Sequence, residues 1–309
     1  MNNINEIPGS INVNPVVEKV NNCLGKEADS DVIESINNVI TNNTCMENIA
    51  KDILDKQAFS KIKGEKFTAD NYERSIRGML FESIALDYME KKGEPENPEL
   101  SNIILSISRN PKGFLSSVYQ SLTKEYISEI NPSEKYEIEM KIKKIKSEIE
   151  DPDILRFPSN SDAIAIQTKR NEENVEIKVV GSIEIKNYNF MRSEQSEKVL
   201  QQLEKSKHDT VLILSKVLKY LPYYYRQNGR EIPNNVTVNS EEDFKQTVVQ
   251  PNVYETPDSP EKRYLEENGI IVETLGITPR KLAEITTLIE PEIRKRMNTL
   301  QRFGYKPRV

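Results

Sequence analysis

The first third of the chain repeats apolar positions at helical spacing. Val32 and Ile36 lie four residues apart, as do Ile49 and Ile53. Residues at this spacing fall on one face of an α-helix. The pattern therefore predicts a small helical lobe over residues 1–65.

A stronger helix is predicted from about Asn71 to Lys92, ended by Gly93. Its broad apolar face is made by Ile76, Met79, Leu80, Ile84, Ala85, Tyr88 and Met89. Glu82 lies close to this stripe rather than opposite it. A carboxylate in that position needs a partner.

The segment that follows is less clearly patterned. Residues 98–131 suggest a helical connector, whereas residues 136–149 fit either a strand or a helix, since apolar residues there alternate and also recur at helical spacing. Both interpretations stay open for that stretch.

The middle of the chain predicts strands. Residues 162–169 and 175–188 alternate in the manner of strands, and a polar turn at 170–174 joins them into an antiparallel pair. A helix over 193–207 and a buried strand over 210–215 follow. The order helix, strand, strand, helix, strand predicts a mixed α/β fold with a small mixed sheet flanked by helices.

The remaining residues predict additions to that core. Residues 229–260, interrupted by prolines, suggest loops around one short strand, and residues 261–309 are mostly helical in pattern. Four tyrosines lie within residues 220–225. They could stack on bases, but the preferred interpretation is that they close the edge of the core.

Composition excludes several kinds of chemistry. The single histidine, His208, lies in a polar stretch that predicts a surface position, and it leaves no basis for a histidine-rich metal site. The chain has no Gly-x-Ser-x-Gly turn for a serine nucleophile and no glycine-rich phosphate loop. Hydrolysis through a nucleophilic serine and nucleotide-fuelled activity are therefore disfavoured.

Charge and hydropathy limit where the protein is expected to act and what it is expected to bind. No apolar run is long enough to span a membrane and no leader is evident, so we expect a cytoplasmic protein. The net charge is −6, but the last 35 residues carry eight basic and three acidic side chains. This segment, with Arg294, Lys295 and Arg296 at its centre, could contact phosphate or could be an ordinary solvated helix face.

The strand pair carries the candidate chemistry. If the turn is centred on residue 172, Asp162 lies opposite Ser182, and Glu184 is one diagonal step away. Side chains two apart on a strand share a face, so Lys186 projects beside Glu184. Two close carboxylates repel unless a cation lies between them, and carboxylate oxygens suit Mg²⁺ or Mn²⁺. The spacing predicts such a metal site.

A second Glu-Ile-Lys sequence competes with the first. Glu176 and Lys178 repeat the tripeptide, but the same register puts Glu176 opposite Thr168, roughly 20 Å from Asp162 at about 3.3 Å per residue. The argument fails if Gly181 and its neighbour form a two-residue hairpin turn, which the sequence permits.

The features that together resemble the restriction-endonuclease-like, or PD-(D/E)XK, nuclease superfamily are Asp162, the Glu184-Ile-Lys tripeptide, the helix after it, the predicted buried strand 210–215 and the upstream helix bearing Glu82. The resemblance covers about residues 70–225. It implies that Asp162, Glu184 and the backbone carbonyl of Ile185 bind Mg²⁺, and that Lys186 assists the attacking water.

The resemblance also implies roles outside the strand pair. Glu82 would be a further acidic ligand, and Gln201 or Gln202 on the helix after the lysine strand could contact nucleic acid, with Gln202 the preferred candidate. The implied activity is that of a magnesium-dependent endonuclease, and the resemblance favours DNA over RNA as the expected substrate. The alternative is an inactive nuclease-fold module that binds nucleic acid or a protein.

These observations predict a three-part organisation. A helical lobe spans 1–65, a nuclease-like core spans 66–228 with an insertion around 95–150, and an extension with basic helices spans 229–309. The end lobes would select substrate, and a homodimer or a protein partner could form through them.

Overall fold

The computed structural model describes residues 14–25, 28–93, 97–156, 162–187, 193–227, 229–252 and 260–307. The helices in these ranges are α1 Asn14–Leu24, α2 Ser30–Thr41, α3 Asn43–Ile62, α4 Ala69–Lys92, α5 Pro98–Arg109, α6 Pro111–Ser128, α7 Pro132–Ile149, α8 Pro152–Arg156, α9 Ser193–Leu218, α10 Leu221–Gln227, α11 Pro260–Glu267 and α12 Pro279–Arg302. The strands are β1 Ala163–Arg170, β2 Asn174–Ile185, β3 Asn235–Pro251 and β4 Ile270–Leu275.

The four strands form one mixed sheet in the order β1-β2-β3-β4. β1 and β2 are antiparallel, whereas β3 runs parallel to β2 and β4 runs parallel to β3. The predicted mixed α/β class, with a small sheet flanked by helices, is confirmed. The long connections from β2 to β3 and from β3 to β4 contain helices, as parallel pairing requires.

The hairpin between β1 and β2 is closed by an asparagine. The Asn171 side-chain oxygen accepts hydrogen bonds from the backbone N–H groups of Glu173 (3.0 Å) and Asn174 (2.7 Å). Asparagine favours such turns because its short side chain can satisfy the backbone two or three residues on. The predicted turn is therefore confirmed, and Gly181 lies within β2 rather than in a hairpin turn.

A β-bulge in this hairpin reverses the alternation of β2. Ala165 pairs with Gly181, but Ile166 pairs with Val179, so Val180 is an extra residue on β2. Before the bulge the odd-numbered residues Val175, Ile177 and Val179 pack on one side of the sheet; after it the odd-numbered Ile183 and Ile185 pack on the other. One extra residue turns every following side chain to the opposite face.

Three hydrophobic clusters hold the sheet. The first joins α1 to α4 with α12 and receives Ile183 and Ile185. In the second cluster, helices α5, α6, α7, α8 and α10 and the end of α9 pack against β1 and the first half of β2. The third packs the beginning of α9 against β3, β4 and α11. Both faces of β2 are therefore covered.

The predicted strand at 210–215 is wrong, because α9 continues without a break from Ser193 to Leu218. Thr210, Ile213, Leu214 and Val217 are buried while Leu212 is 42% exposed. This is helical spacing, and no glycine or proline lies between Lys207 and the apolar run to end the helix.

The third strand of the sheet lies later in the chain. β3 has 17 residues, where the sequence suggested loops around one short strand. Between its two halves the pairing with β2 shifts by three residues, from Val179 opposite Ser240 to Gly181 opposite Lys245. β4 interrupts the mostly helical pattern predicted for 261–309.

Other predictions for the helical parts hold or become definite. The helix predicted at 71–92 is α4, and Gly93 follows its last residue. The connector is α5 and α6, and the ambiguous stretch 136–149 is the helix α7. Within the described residues no helix is long and apolar enough to cross a membrane.

Packing contacts and sheet pairing connect the three parts of the chain that the sequence predicted. α12 packs on α1, α3 and α4, and β3 and β4 complete the sheet. Two of the tyrosines, Tyr220 and Tyr225, are buried in the second cluster. This agrees with tyrosines that close the edge of the core.

Candidate active site

Asp162 immediately precedes β1, and continuing the register of the hairpin by one residue puts it across from Glu184. Ala163 pairs with Ile183, and the Asp162 N–H donates to the carbonyl of Ile183 at 3.0 Å. The N–H of Ile185 donates to Asp162 Oδ2 at 2.6 Å. The predicted register, with Asp162 opposite Ser182, is thus wrong by two residues, because the turn is shorter than assumed and the bulge adds one residue.

The two carboxylates share a face, as predicted. Ile164 and Ile166 of β1 pack in the second cluster, and Ile164 pairs with Ser182. Side chains two apart on a strand point the same way, so Asp162 and Glu184 both lie on that side of the sheet.

Glu184 is a buried carboxylate with one cationic partner. It is only 4% exposed, and it forms an ion pair with Lys186 Nζ through Oε1. Burial raises the pKa of Glu184, and the charge of Asp162 raises it further, whereas Lys186 opposes both. The site therefore holds more negative charge than Lys186 neutralises.

Glu82 on α4 belongs to the same electrostatic group. Loss of water around its carboxyl raises the pKa of Glu82, although the residue as a whole is exposed, and the charges of Asp162, Asp52 and Glu184 raise it further. Lys56 on α3 lowers it. Among these charges, only Lys56 is of the kind that the sequence analysis expected as a partner for Glu82.

Asp52 was missed by sequence reasoning. It is an exposed residue of α3, and its charge acts on Glu82 from a helix that precedes the strand pair by a hundred residues. Local patterning offers no signal for it, since Asp52 looks like any acidic residue on a solvated helix face.

Gln250 on β3 is a second residue that sequence reasoning missed. The N–H of Lys186 donates to the carbonyl of Val249 at 2.9 Å, which puts Gln250 beside Lys186 in the sheet. Val248 lies opposite Glu184, so Gln250, two residues later, shares the face of Glu184. Gln250 is 1% exposed, and among the described residues neither atom of its side-chain amide has a hydrogen-bond partner.

The unpaired amide of Gln250 is energetically costly. A buried polar group without a hydrogen bond destabilises a protein by about 1–3 kcal/mol. Such groups are rare in native proteins and call for a reason. Its position beside Lys186 gives one, since a bound phosphate or water would accept or donate those hydrogen bonds.

The competing tripeptide lies away from this group. Glu176 pairs with Lys169 and Lys178 pairs with Gln167, where the sequence expected Glu176 opposite Thr168. Because the bulge lies between the two tripeptides, Glu176 and Lys178 project from the opposite face of β2 to Glu184. The structure thus brings Glu184, and not Glu176, to Asp162.

Two cavities adjoin the site. One, of about 570 Å³, runs along the outer edge of β1 between α4 and α5 and includes Asp162. The other, of about 510 Å³, lies between α3, α4 and the end of β2 and includes Glu82 and Ile185. The first cavity therefore reaches Asp162 and the second reaches Glu82, while Glu184 lines neither.

Three of the weaker nucleic-acid contacts predicted from sequence, at Gln202, Arg294 and Lys295, stay predictions. Gln202 is exposed on α9, next to Leu203, which packs toward Val248. Lys295 is exposed, and Arg294 pairs with Glu290 at 2.6 Å.

The prediction for Arg296 is wrong. Arg296 is 9% exposed and donates to the backbone and side-chain oxygens of Asn43, so it fastens α12 to α3. Burial lowers the pKa of Arg296, and its guanidinium is not available to phosphate.

The donor set suits a hard divalent cation, although the side chains are not arranged around one. Among the described residues, no group of three or more His, Cys, Asp or Glu side chains could hold a metal ion as it stands. Lys186 Nζ now contacts the Glu184 oxygen that a cation would take. The crowded carboxylates nevertheless fit Mg²⁺ or Mn²⁺ by chemistry. Burial, and after it the charge of Asp162, raises the pKa of both Glu82 and Glu184, and a bound cation would stabilise their charged forms against both effects.

Comparison with known proteins found no match to a family model, to a curated protein or to a solved structure. The residues and contacts of the chain itself therefore carry the functional argument.

Proposed function

We propose that this protein is a Mg²⁺-dependent nuclease that hydrolyses phosphodiester bonds, with its site at Asp162, Glu184 and Lys186. The observation that carries the proposal is the pairing of Asp162 with a buried Glu184 whose lysine lies two residues on. Structural carboxylates are seldom buried beside another carboxylate, because the repulsion between them raises the free energy of both charged groups.

Asp162 and Glu184 would hold the metal, with the carbonyl of Ile185 and, from the rim, Glu82. When bound, the metal would polarise the phosphate and lower the pKa of an attacking water. Asp162 keeps Oδ1 for this purpose, because its Oδ2 already accepts the N–H of Ile185.

The side chains around these carboxylates have separate tasks. Lys186 is tied to Glu184 and would move its ammonium group to the non-bridging phosphate oxygens, where it neutralises developing charge. Gln250 would orient the water or a phosphate oxygen through its unpaired amide. The β-sheet holds these groups on a rigid support, as positioning requires.

The order of elements supports a restriction-endonuclease-like core. These elements come in the order helix α4, strands β1 and β2, helix α9 and strand β3, with α5 to α8 inserted between α4 and β1 and α10 between α9 and β3. The last strand is β3 rather than residues 210–215, so the proposed core extends beyond residue 225. DNA stays the preferred substrate on the resemblance, with RNA as the competing one.

The test is cleavage of supercoiled plasmid, single-stranded DNA and RNA in Mg²⁺, Mn²⁺ or EDTA. We expect cleavage that requires the metal and that is lost in Asp162→Asn and Glu184→Gln. Calorimetry with Mn²⁺ measures binding independently of turnover.

Glu176→Gln is the matched control, since it changes the same residue type in the same tripeptide on the opposite face of β2. Failure to cut any substrate, together with failure to bind Mn²⁺, would overturn the proposal. That result would favour the inactive nuclease-fold module that binds nucleic acid or a protein.

A further inference from the structure

A lysine-rich segment lies at the 510 Å³ cavity. Residues 56–66 contain four lysines and one glutamate, a local charge of +3 in a chain whose net charge is −6. The four lysines are exposed: Lys56, Lys61, Lys63 and Lys66. Concentrated positive charge of this kind favours binding of a phosphate backbone.

Aromatic side chains are interleaved with these lysines. Phe59 lines the cavity and is 51% exposed, and Phe67 lines it from the loop before α4. The Nζ of Lys63 lies 4.4 Å from the centre of the Phe59 ring. An exposed ring with a cation beside it is the combination that binds bases and their phosphates in single strands.

The polar lining of the cavity also suits a nucleotide. Asn71, Arg74 and Asn187 contribute to the walls. The Asn187 side-chain oxygen is buried and has no hydrogen-bond partner among the described residues. A base edge supplies the N–H donors that such an acceptor lacks, and the volume lies within the roughly 300–1,000 Å³ usual for ligand sites.

The cavity reaches the candidate active site at Glu82, which lines it. Ile185 lines it too, but its side chain projects from the opposite face of β2 to Glu184. A chain bound along the lysine-rich segment would therefore lead to Glu82.

We propose that residues 56–67 and this cavity form a binding track for single-stranded nucleic acid, in which Phe59 and Phe67 stack on bases and the lysines bind phosphates. The inference rests on the proposed function for its link to cleavage. It adds that the preferred substrate is a single strand or an unpaired segment.

The experiment is fluorescence anisotropy of the full chain with labelled single-stranded DNA and RNA of about 16 nucleotides, the upper size for one compact binding surface. EDTA is present, so that binding is measured without cleavage, and duplex DNA of the same length is the competitor. The DNA and RNA arms distinguish the two sources of single strand.

Phe59→Ala should weaken single-strand binding at least about fivefold, the lower end of the effect of one base stack. Tyr136→Ala is the control, because Tyr136 is 63% exposed on α7, outside both the cavity lining and the basic C-terminal segment. It should leave binding unchanged.

Lys63→Ala should reduce the dependence of binding on salt by about 0.7 in the logarithmic slope, as expected when one phosphate contact to a single strand is lost. Lys135→Ala is its control, since the Nζ of Lys135 lies 4.9 Å from the centre of the Tyr126 ring in a similar pair outside the cavity.

Equal binding by wild type and Phe59→Ala, or tighter binding of duplex than of single strand, would overturn the track. Loss of cleavage in Glu184→Gln with normal binding by Phe59→Ala would leave the nuclease proposal standing while the track fails. Binding that depends on Phe59 without cleavage of any substrate would support the track and count against the nuclease.

Discussion

Two copies of Glu-Ile-Lys lie on the same strand in different surroundings. Glu184 is buried, faces Asp162 and pairs with its own lysine, Lys186. Glu176 is half-buried and lies opposite Lys169 in the register of the hairpin. The local sequence is identical, so the difference comes from what the fold puts opposite each copy.

The bulge at Val180 produces this difference. The two glutamates are eight residues apart, and an unbroken strand would put them on one face. With one extra residue between them, Glu184 turns to the face of Asp162 and Glu176 turns away. A short motif therefore gains its chemical meaning from register, and the comparison can be tested by changing each copy.

The largest expected effect is on catalysis. Glu184→Gln should reduce cleavage by about a thousandfold or more, because losing a ligand forfeits several kcal/mol of charge stabilisation by the metal. Glu176→Gln should remain close to wild type. Plasmid cleavage rates measure both effects. Equal losses in the two variants would contradict the expected difference between the two Glu-Ile-Lys copies.

Gln250→Met should separate activity from stability. We expect cleavage to fall about 10–100-fold, the range for residues that support a metal site. The free energy of unfolding should rise by about 1–3 kcal/mol, because an unpaired buried amide is replaced by an apolar side chain of similar length. Urea unfolding checks this, and a less stable variant would mean that Gln250 is a structural residue.

Gly181→Ala tests the register itself. A Cβ at Gly181 would lie 2.4 Å from the Lys245 carbonyl oxygen on β3, so the strands must separate. We expect a loss of about 1–3 kcal/mol in the free energy of unfolding. Gly78→Ala on α4, where a Cβ meets nothing within 4 Å, should instead gain about 0.5–1 kcal/mol. A Gly181→Ala variant as stable as wild type would contradict this close approach of the strands.

The smallest effect is on the pH dependence of metal binding. Because the pKa values of Glu82 and Glu184 are raised above the ordinary 4.5, protons compete with the metal across a window that extends upward from that value. Mn²⁺ affinity should rise with pH by up to about tenfold per unit for each proton displaced. Glu82→Gln should flatten this rise, as calorimetry at several pH values would show, whereas a pH-independent affinity would exclude the coupling.

In the absence of metal, folding stability depends on pH with the opposite sign to metal affinity. A carboxyl group with a raised pKa contributes stability that is complete below its ordinary pKa and is lost as pH rises through the raised value. Wild type without metal should therefore become less stable over that window, and added Mn²⁺ should restore stability by mass action.

Local patterning predicted the hairpin, the helix α4 and the shared face of Asp162 and Glu184. These features depend on alternation and helical spacing within short stretches. It failed at residues 210–215, where an apolar run fits a strand and a buried helix equally well. It also missed Asp52 and Gln250, because each matters through a residue that is distant in sequence. Patterns within a short stretch carry no information about such contacts.

The packing of β2 has a consequence for how the protein is made. Ile183 and Ile185, which flank Glu184, share a cluster with Ile285 and Ile289 of α12. During synthesis the chain emerges from its N-terminus, so this cluster stays open until α12 has left the ribosome. Contacts that join such distant segments also slow folding. The acidic group that Ile183 and Ile185 flank would thus reach its final surroundings only after α12 has been synthesised.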